Sequence, residues 1–293
     1  MVHNIKKNTT LQAIINKLQN YWFKKGCPIL QPIDTEVGAG TLNPHTFFKV
    51  LGSEKWNGIY VERCRRPLDG RYGKNPNKTQ SYFQLQVILK PSPKNIQELY
   101  LKSLKYIGIK LSNTDLRFIE DDWEHPALGA CGLGWEVRLQ GLEITQITYF
   151  QRCGTLNLNK TSCEITYGLE RITSYLQNIN NYLNIIWSVL PSGRKIRYFE
   201  IYEEEYLYSY YNFHFANINF YLNQFKSYYK DALKLLDKKI LIPAYEKILK
   251  CSHILNILDA RGSIGVIEKM SYIQELRNLS KLCAKIYINK KKI

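Results

Sequence analysis

The chain has 293 residues, 45% hydrophobic and 23% charged, enough apolar content for one large domain or two smaller ones and too much for a disordered chain. Lysine and arginine total 41 against 25 acids, a formal +16 that suits a polyanion such as RNA or an anionic membrane surface. A drift toward Lys, Asn, Ile and Tyr gives the same balance, so charge alone does not choose a partner. The seven cysteines include no C-x-x-C pair, which excludes zinc knuckles and disulfide frameworks and fits a reducing, cytoplasmic compartment. The basic start lacks an apolar stretch behind it and no 18-residue apolar run follows, so neither a signal peptide nor a membrane span is expected.

Residues 10–25 read as a helix, with Leu11, Ile14, Ile15, Leu18, Tyr21 and Trp22 on one face, Thr9 and Gln12 as a capping box and Gly26 as a stop. A short strand is expected over 28–32, closed by Pro32. Residues 58–90 read as two strands, Gly58–Cys64 and Tyr82–Leu89, around the turn-rich loop RRPLDGRYGKNPNK (65–78). The second strand alternates clearly: Phe83, Leu85, Val87 and Leu89 on one face, Tyr82, Gln84, Gln86 and Ile88 on the other. That second face fits a ligand floor or a plain solvent face equally well. A helix over 94–107, a strand over Leu116–Glu120 and two strands within Trp135–Gln151, hinged near Gly141, follow. The glycines of LGACGLGWEV (128–137) suggest a tight turn with close backbone approach. After Glu164 the pattern is helical: Tyr167–Leu176, Phe215–Leu236, Ile242–Ala260 and Ile264–Ile288. The lysine-rich end, 289–293, reads as a frayed tail. A mixed first half with an antiparallel sheet thus precedes a helical second half, with a boundary near residues 165–180.

Phosphate-binding P-loops, ordered G-x-G-x-x-G, H-E-x-x-H, G-x-S-x-G and kinase signatures are all missing. What stands out is the run of cations Arg65, Arg66, Arg71, Lys74 and Lys78 on a strand–loop–strand, since guanidinium forks grip phosphate oxygens. Downstream lie Glu136, Glu143, Glu164 and Arg171. Carboxylates near phosphates commonly hold Mg²⁺. Any one of these glutamates alone would be a surface group.

Specific stretches resemble the α subunit of bacterial heterotetrameric glycyl-tRNA synthetases: QPIDTEVGAGTLNPHTF (31–47), RRPLDGRYGKNPNK (65–78), YFQLQVILKPSPKNIQELYLKSL (82–104), RFIEDDWEHPALGACGLGWEV (117–137), GLEITQITYFQ (141–151), EITYGLER (164–171), IPAYEKILK (242–250) and LDAR (258–261). The resemblance runs through nearly the whole chain. It implies an α+β fold, the class II synthetase antiparallel sheet flanked by helices, over 1–170, followed by an all-helical C-terminal domain over 171–293. Motif 1 would be the helix 10–25 with strand 28–32, forming a homodimer interface. Motif 2 would be 59–89, and motif 3 would open at Gly168–Arg171.

The activity implied is activation of glycine with ATP and Mg²⁺ to glycyl-adenylate, then transfer to the 3′ end of tRNA(Gly), in an α2β2 assembly with a β subunit in the cytoplasm and no membrane. Arg65 or Arg66 would bind the α-phosphate, Lys78 the phosphates, and Tyr82 and Arg171 would sandwich adenine. Glu143 would hold Mg²⁺ or ribose, with Glu164 second. Asp34, Glu36, Gln84, Gln86, Gln146 and Glu164 would surround glycine, and Trp123 and Trp135 are candidate walls that exclude a side chain. Lys74 stands where the family's pattern leads us to expect glutamate and Lys78 where it leads us to expect arginine, which puts adenine reading by the first and the planar phosphate fork of the second in question. Two other readings stay open: a binding protein that kept the fold without catalysis, and an acyl-adenylate ligase for another small acid.

Overall fold

The computed structural model describes residues 7–290; the basic start (1–6) and the tail end (291–293) lie outside the described residues. Helix α1 (Leu11–Phe23) leads, capped not by Thr9 but by Thr10, whose Oγ1 accepts the Ala13 N–H at 3.2 Å. The expected strand at 28–32 is reduced to one parallel bridge, Ile29 to Ile59, because the two prolines flanking it withhold backbone donors. Helix α2 (Pro44–Leu51) and strands β1 (Trp56–Arg65) and β2 (Ser81–Lys90) follow, then α3 (Ile96–Ile107). Strands β3 (Leu116–His125), β4 (Ala130–Leu139), β5 (Leu142–Cys153) and β6 (Leu156–Gly168) form a meander that runs straight into helix α4 (Leu169–Gln177).

The chain then makes a small hairpin, β7 (Ile186–Val189) with β8 (Lys195–Arg197), where the sequence pattern suggested only helix. Short helices α5 (Tyr198–Ile201) and α6 (Glu205–Tyr210) and a π-helical turn (Tyr211–Phe215) lead to the long α7 (Ile218–Asp237), α8 (Leu241–Ala260) and α9 (Val266–Lys290). Among the described residues, no helix is long and apolar enough to cross a membrane.

The main sheet has six antiparallel strands in the order β1-β2-β6-β5-β4-β3. Its two faces have different partners. One packs Phe83, Leu85, Val87, Val137, Ile147, Ile165 and Tyr167 against α1, α3 and α4. Leu11, Ile14, Leu18 and Trp22 of α1 are fully buried there, each such side chain contributing about 1.5–3 kcal/mol. The polar ends in this layer are satisfied: Trp22 Nε1 donates to the Tyr167 hydroxyl at 3.1 Å, and that hydroxyl meets Ser103 Oγ at 2.7 Å. On the other face Tyr60, Ile88 and Phe150 join Phe47 and Phe48 of α2 with Tyr245 and Leu249 of α8 and Leu276 and Leu279 of α9. The C-terminal helices therefore share a core with this face of the sheet and close over part of it.

The glycine-rich run is strand, not turn. Gly134 lies opposite Thr148, and a Cβ there would sit 1.8 Å from the Ile147 carbonyl oxygen. We expect Gly134→Ala to lose about 3–5 kcal/mol of stability in urea unfolding. A wild-type midpoint would show that β4 and β5 are not held this close.

Candidate active site

On the helix-free part of the second face lies a hollow of about 310 Å³. Its floor is built by the pleat. The pairings Gln84 with Gly168, Gln86 with Thr166, Gln146 with Thr166 and Thr148 with Glu164 put the polar residues of β2, β6 and β5 on one side. Tyr82, Gln84, Glu143, Gln146 and Thr166 line the floor; Asp69, Lys78 and Arg66 come from the strand–loop–strand; Glu170 and Arg171 come from the first turn of α4.

The polar contacts fix these groups. Arg171 Nη1 donates to the Glu143 carbonyl at 2.8 Å and to its Oε2 at 2.7 Å. Lys78 Nζ stands 3.0 Å from Asp69 Oδ1. Arg66 Nε donates to the Gly38 carbonyl at 2.8 Å, and its guanidinium lies 5.4 Å from the Tyr82 ring centre. Gln146 Nε2 donates to Asp121 Oδ2 at 2.6 Å. Glu170 is buried; its Oε1 accepts the Phe83 N–H at 2.7 Å and the Tyr198 hydroxyl at 3.0 Å, tying α4 to β2.

Beyond the hollow, the same polar face continues under a loop. Gln86 and Glu164 are buried beneath residues 39–42. Gln86 Oε1 accepts the Thr166 hydroxyl at 2.7 Å, and Glu164 Oε2 accepts the Thr41 hydroxyl at 2.7 Å. Among the described residues, Gln86 Nε2 and Glu164 Oε1 have no hydrogen-bond partner. Gly40 closes the roof: its N–H donates to Gln84 Oε1 at 2.9 Å, and a Cβ there would meet the Gln86 amide at 2.4 Å.

The structure thus brings together Arg66, Lys78, Tyr82, Gln84, Glu143, Gln146 and Arg171 around one hollow, with Gln86 and Glu164 behind it. Arg65, Asp34 and Glu36 lie elsewhere. They line a separate open groove of about 520 Å³ beside α1, and the Arg65 guanidinium lies 5.0 Å from the Tyr208 ring centre. The strand alternation explains the split, since neighbouring arginines at a strand end point to opposite sides. Trp123 is on the hollow's face, edge-on to Phe150 at 5.6 Å, whereas Trp135 packs with Phe118 and Tyr149 in the opposite core and cannot wall the site. Thr41, Thr166, Asp69, Glu170 and Asp121 did not stand out in the sequence. Each lies within one of the stretches that carry the family resemblance (31–47, 65–78, 117–137 and 164–171).

Glu143 and Glu164 cannot share a cation. Glu164 faces Thr148, five residues along β5 from Glu143, a separation of about 17 Å at the rise of a strand. Among the described residues no cluster of three or more His, Cys, Asp or Glu side chains is gathered for a metal. Glu143 alone fits a Mg²⁺ ion that takes its other oxygens from phosphate and water.

A six-stranded antiparallel sheet with these flanking helices agrees with the class II synthetase architecture that the sequence resemblance implied. The chain belongs to the glycyl-tRNA synthetase alpha subunit family, whose model matches residues 11–292. It is accordingly an aminoacyl-tRNA ligase subunit, and an alpha subunit implies a beta subunit partner and tRNA as substrate. Among solved structures, the pyrrolysyl-tRNA synthetase of Desulfitobacterium hafniense is similar in two determinations. One has 11% identity over 59% of this chain and 70% of that one, with a TM-score of 0.41. The other has 11% identity over 64% and 76%, with a TM-score of 0.44.

Burial pushes Glu164, Glu170 and Glu62 up to about 7 from an ordinary 4.5. Between those values the folded chain holds protons that the unfolded chain releases. Their contribution to stability is therefore complete below about pH 4.5 and is lost as pH rises through 7. We expect thermal unfolding at pH 8 to occur at a lower temperature than at pH 6, and Glu164→Gln, which keeps an acceptor for Thr41, to flatten that slope. An unchanged slope in the variant would mean that Glu164 stays ionised in the folded chain.

Proposed function

We propose that the hollow binds ATP and glycine, forms glycyl-adenylate, and passes the glycyl group to the 3′ end of tRNA(Gly). The observation that supports this reading most is the convergence of Arg66, Tyr82, Glu143 and Arg171 on one cavity. The purine lies against Tyr82 and Arg171. Arg66 faces the α-phosphate, and Lys78 the outer phosphates. Glu143 is the carboxylate for Mg²⁺, which supplies charge neutralisation on the phosphates when bound. Gln84, Gln86, Gln146 and Glu164 surround the amino acid. Arg65, Asp34 and Glu36 are given no part in the chemistry.

In the first step a glycine carboxylate oxygen bonds to the α-phosphorus and pyrophosphate leaves. In the second the terminal ribose hydroxyl bonds to the acyl carbon and AMP leaves. Neither step needs a covalent protein nucleophile. The chain supplies alignment and fixed positive charge where negative charge grows. Selection of glycine follows from exclusion. A side chain on the amino acid would strike the loop at Gly40, and packing repulsion discriminates more strongly than a missing methylene does. We further propose an α2β2 assembly in the cytoplasm, with the homodimer formed through the helix 10–25 and the segment 28–32.

Glycine-dependent ATP–pyrophosphate exchange with the β subunit present tests the reading. Arg171→Ala and Arg66→Ala should each lower exchange by at least about 100-fold without loss of fold, whereas Arg65→Ala should cost far less. Unchanged exchange in Arg171→Ala would remove the assignment of that arginine and the hollow with it. The chain without its partner should charge tRNA weakly or not at all, measured with radiolabelled glycine; full charging by the isolated chain would contradict the division of labour.

A further inference from the structure

A second cavity, of about 280 Å³, lies on the other side of the Gly38–Ala39 strip from the hollow, walled by the end of β3 and by helices α8 and α9. Its polar lining is Arg66, His125, Ser252, Asn256 and Lys269, and Ile273 gives it an apolar side. Arg66 lines both cavities. The strip between them is held by the Arg66 bond to the Gly38 carbonyl, and it packs closely on α8: a Cβ on Gly38 would lie 3.4 Å from the Asn256 amide nitrogen.

Resting on the adenylation reading above, we infer that this second cavity receives the terminal nucleoside of the tRNA acceptor end. Two substrates must meet at one acyl carbon beside Arg66, and the hollow is filled by the adenylate when the second arrives. An entrance that shares Arg66 but not the hollow's other walls meets that need. Its chemistry suits a nucleoside better than a protein segment. The Asn256 amide offers an adjacent donor and acceptor, the pair that reads the N6 and N7 edge of adenine. His125 Nδ1 accepts the Leu128 N–H at 3.4 Å, so the ring proton of the neutral imidazole sits on Nε2, a donor. Burial and the Arg66 charge push that histidine down to about 4, keeping it neutral at physiological pH. Lys269 Nζ, 2.7 Å from Asp259 Oδ2, supplies a cation for the last phosphodiester. The transfer then balances: the ribose oxygen bonds to the acyl carbon, the bond from that carbon to the phosphate oxygen breaks, and AMP departs with the hydroxyl proton on its phosphate.

The test uses the complex with the β subunit and two variants, Asn256→Leu and Ser252→Val. Each should leave glycine-dependent exchange within about twofold of the parent and slow single-turnover transfer from preformed adenylate by about tenfold or more. Binding is measured in parallel with tRNA(Gly) and with the same tRNA lacking its terminal nucleotide. The parent should bind the intact RNA more tightly; in Asn256→Leu that preference should vanish. Parent-like transfer in both variants, or a preference for the intact end that survives Asn256→Leu, overturns the inference. Absence of exchange in the parent complex would count against the adenylation reading, and the RNA comparison would still decide the cavity's role.

Discussion

The antiparallel register of β2, β6 and β5 is the constraint on which the site depends. A slip of one residue would turn every side chain to the other face. What pins the register is the apolar side: Phe83, Leu85 and Val87 of β2 and Ile165 and Tyr167 of β6 are buried against α1, α3 and α4. Because that side must be buried, Tyr82, Gln84, Gln86, Glu164 and Thr166 are committed to the other. The polar floor is thus positioned by the hydrophobic layer beneath it.

Over that floor the chain accepts an electrostatic cost. Glu62, Glu164 and Glu170 are buried carboxyl groups, and each is held by one or two hydrogen bonds where a salt bridge would be more usual. A charge in such a place is destabilising unless a partner arrives. Among the described residues, Glu164 Oε1 and Gln86 Nε2 have no partner, and both side chains lie under the loop 39–42. On the proposed reading, the ammonium of glycine would donate to Glu164 and its carboxylate would accept from the Gln86 amide. The loop 38–42 links this recess to the rest of the molecule: Tyr60 donates to the Gly40 carbonyl at 2.9 Å from the sheet, and Tyr245 to the Leu42 carbonyl at 2.8 Å from α8. Through these bonds the C-terminal helices bear directly on the roof of the site.

Much of this was legible in the sequence where periodicity rules. The alternation of 82–89 named the floor residues Tyr82, Gln84 and Gln86, and the i, i+3, i+4 spacing of 11–22 named the face of α1 that covers the opposite core. What periodicity does not encode was missed. Whether Arg65 or Arg66 enters the hollow depends on where β1 ends, and it ends at Arg65. Asp34 and Glu36 sit in a segment without regular structure, so nothing local told which way its course would turn them. The outer part of β6 carries Asn157, Asn159, Lys160 and Thr161 on an exposed stretch, with only Leu156 and Leu158 as an apolar signal. The hairpin β7–β8 is short and set among aromatic residues whose spacing mimics a helix. Trp123 and Trp135 lie on neighbouring strands in the same sequence neighbourhood, yet opposite sides of the pleat separate a candidate wall from a core residue.

The most direct measurement is a crystal structure of the complex with a non-hydrolysable glycyl-adenylate analogue. The purine should lie against Tyr82 and Arg171, the phosphate on Arg66, and the amino group on Glu164 with the glycine carbonyl side toward the Gln86 amide. An analogue seated in the groove of Asp34, Glu36 and Arg65, with the hollow unchanged, would contradict it.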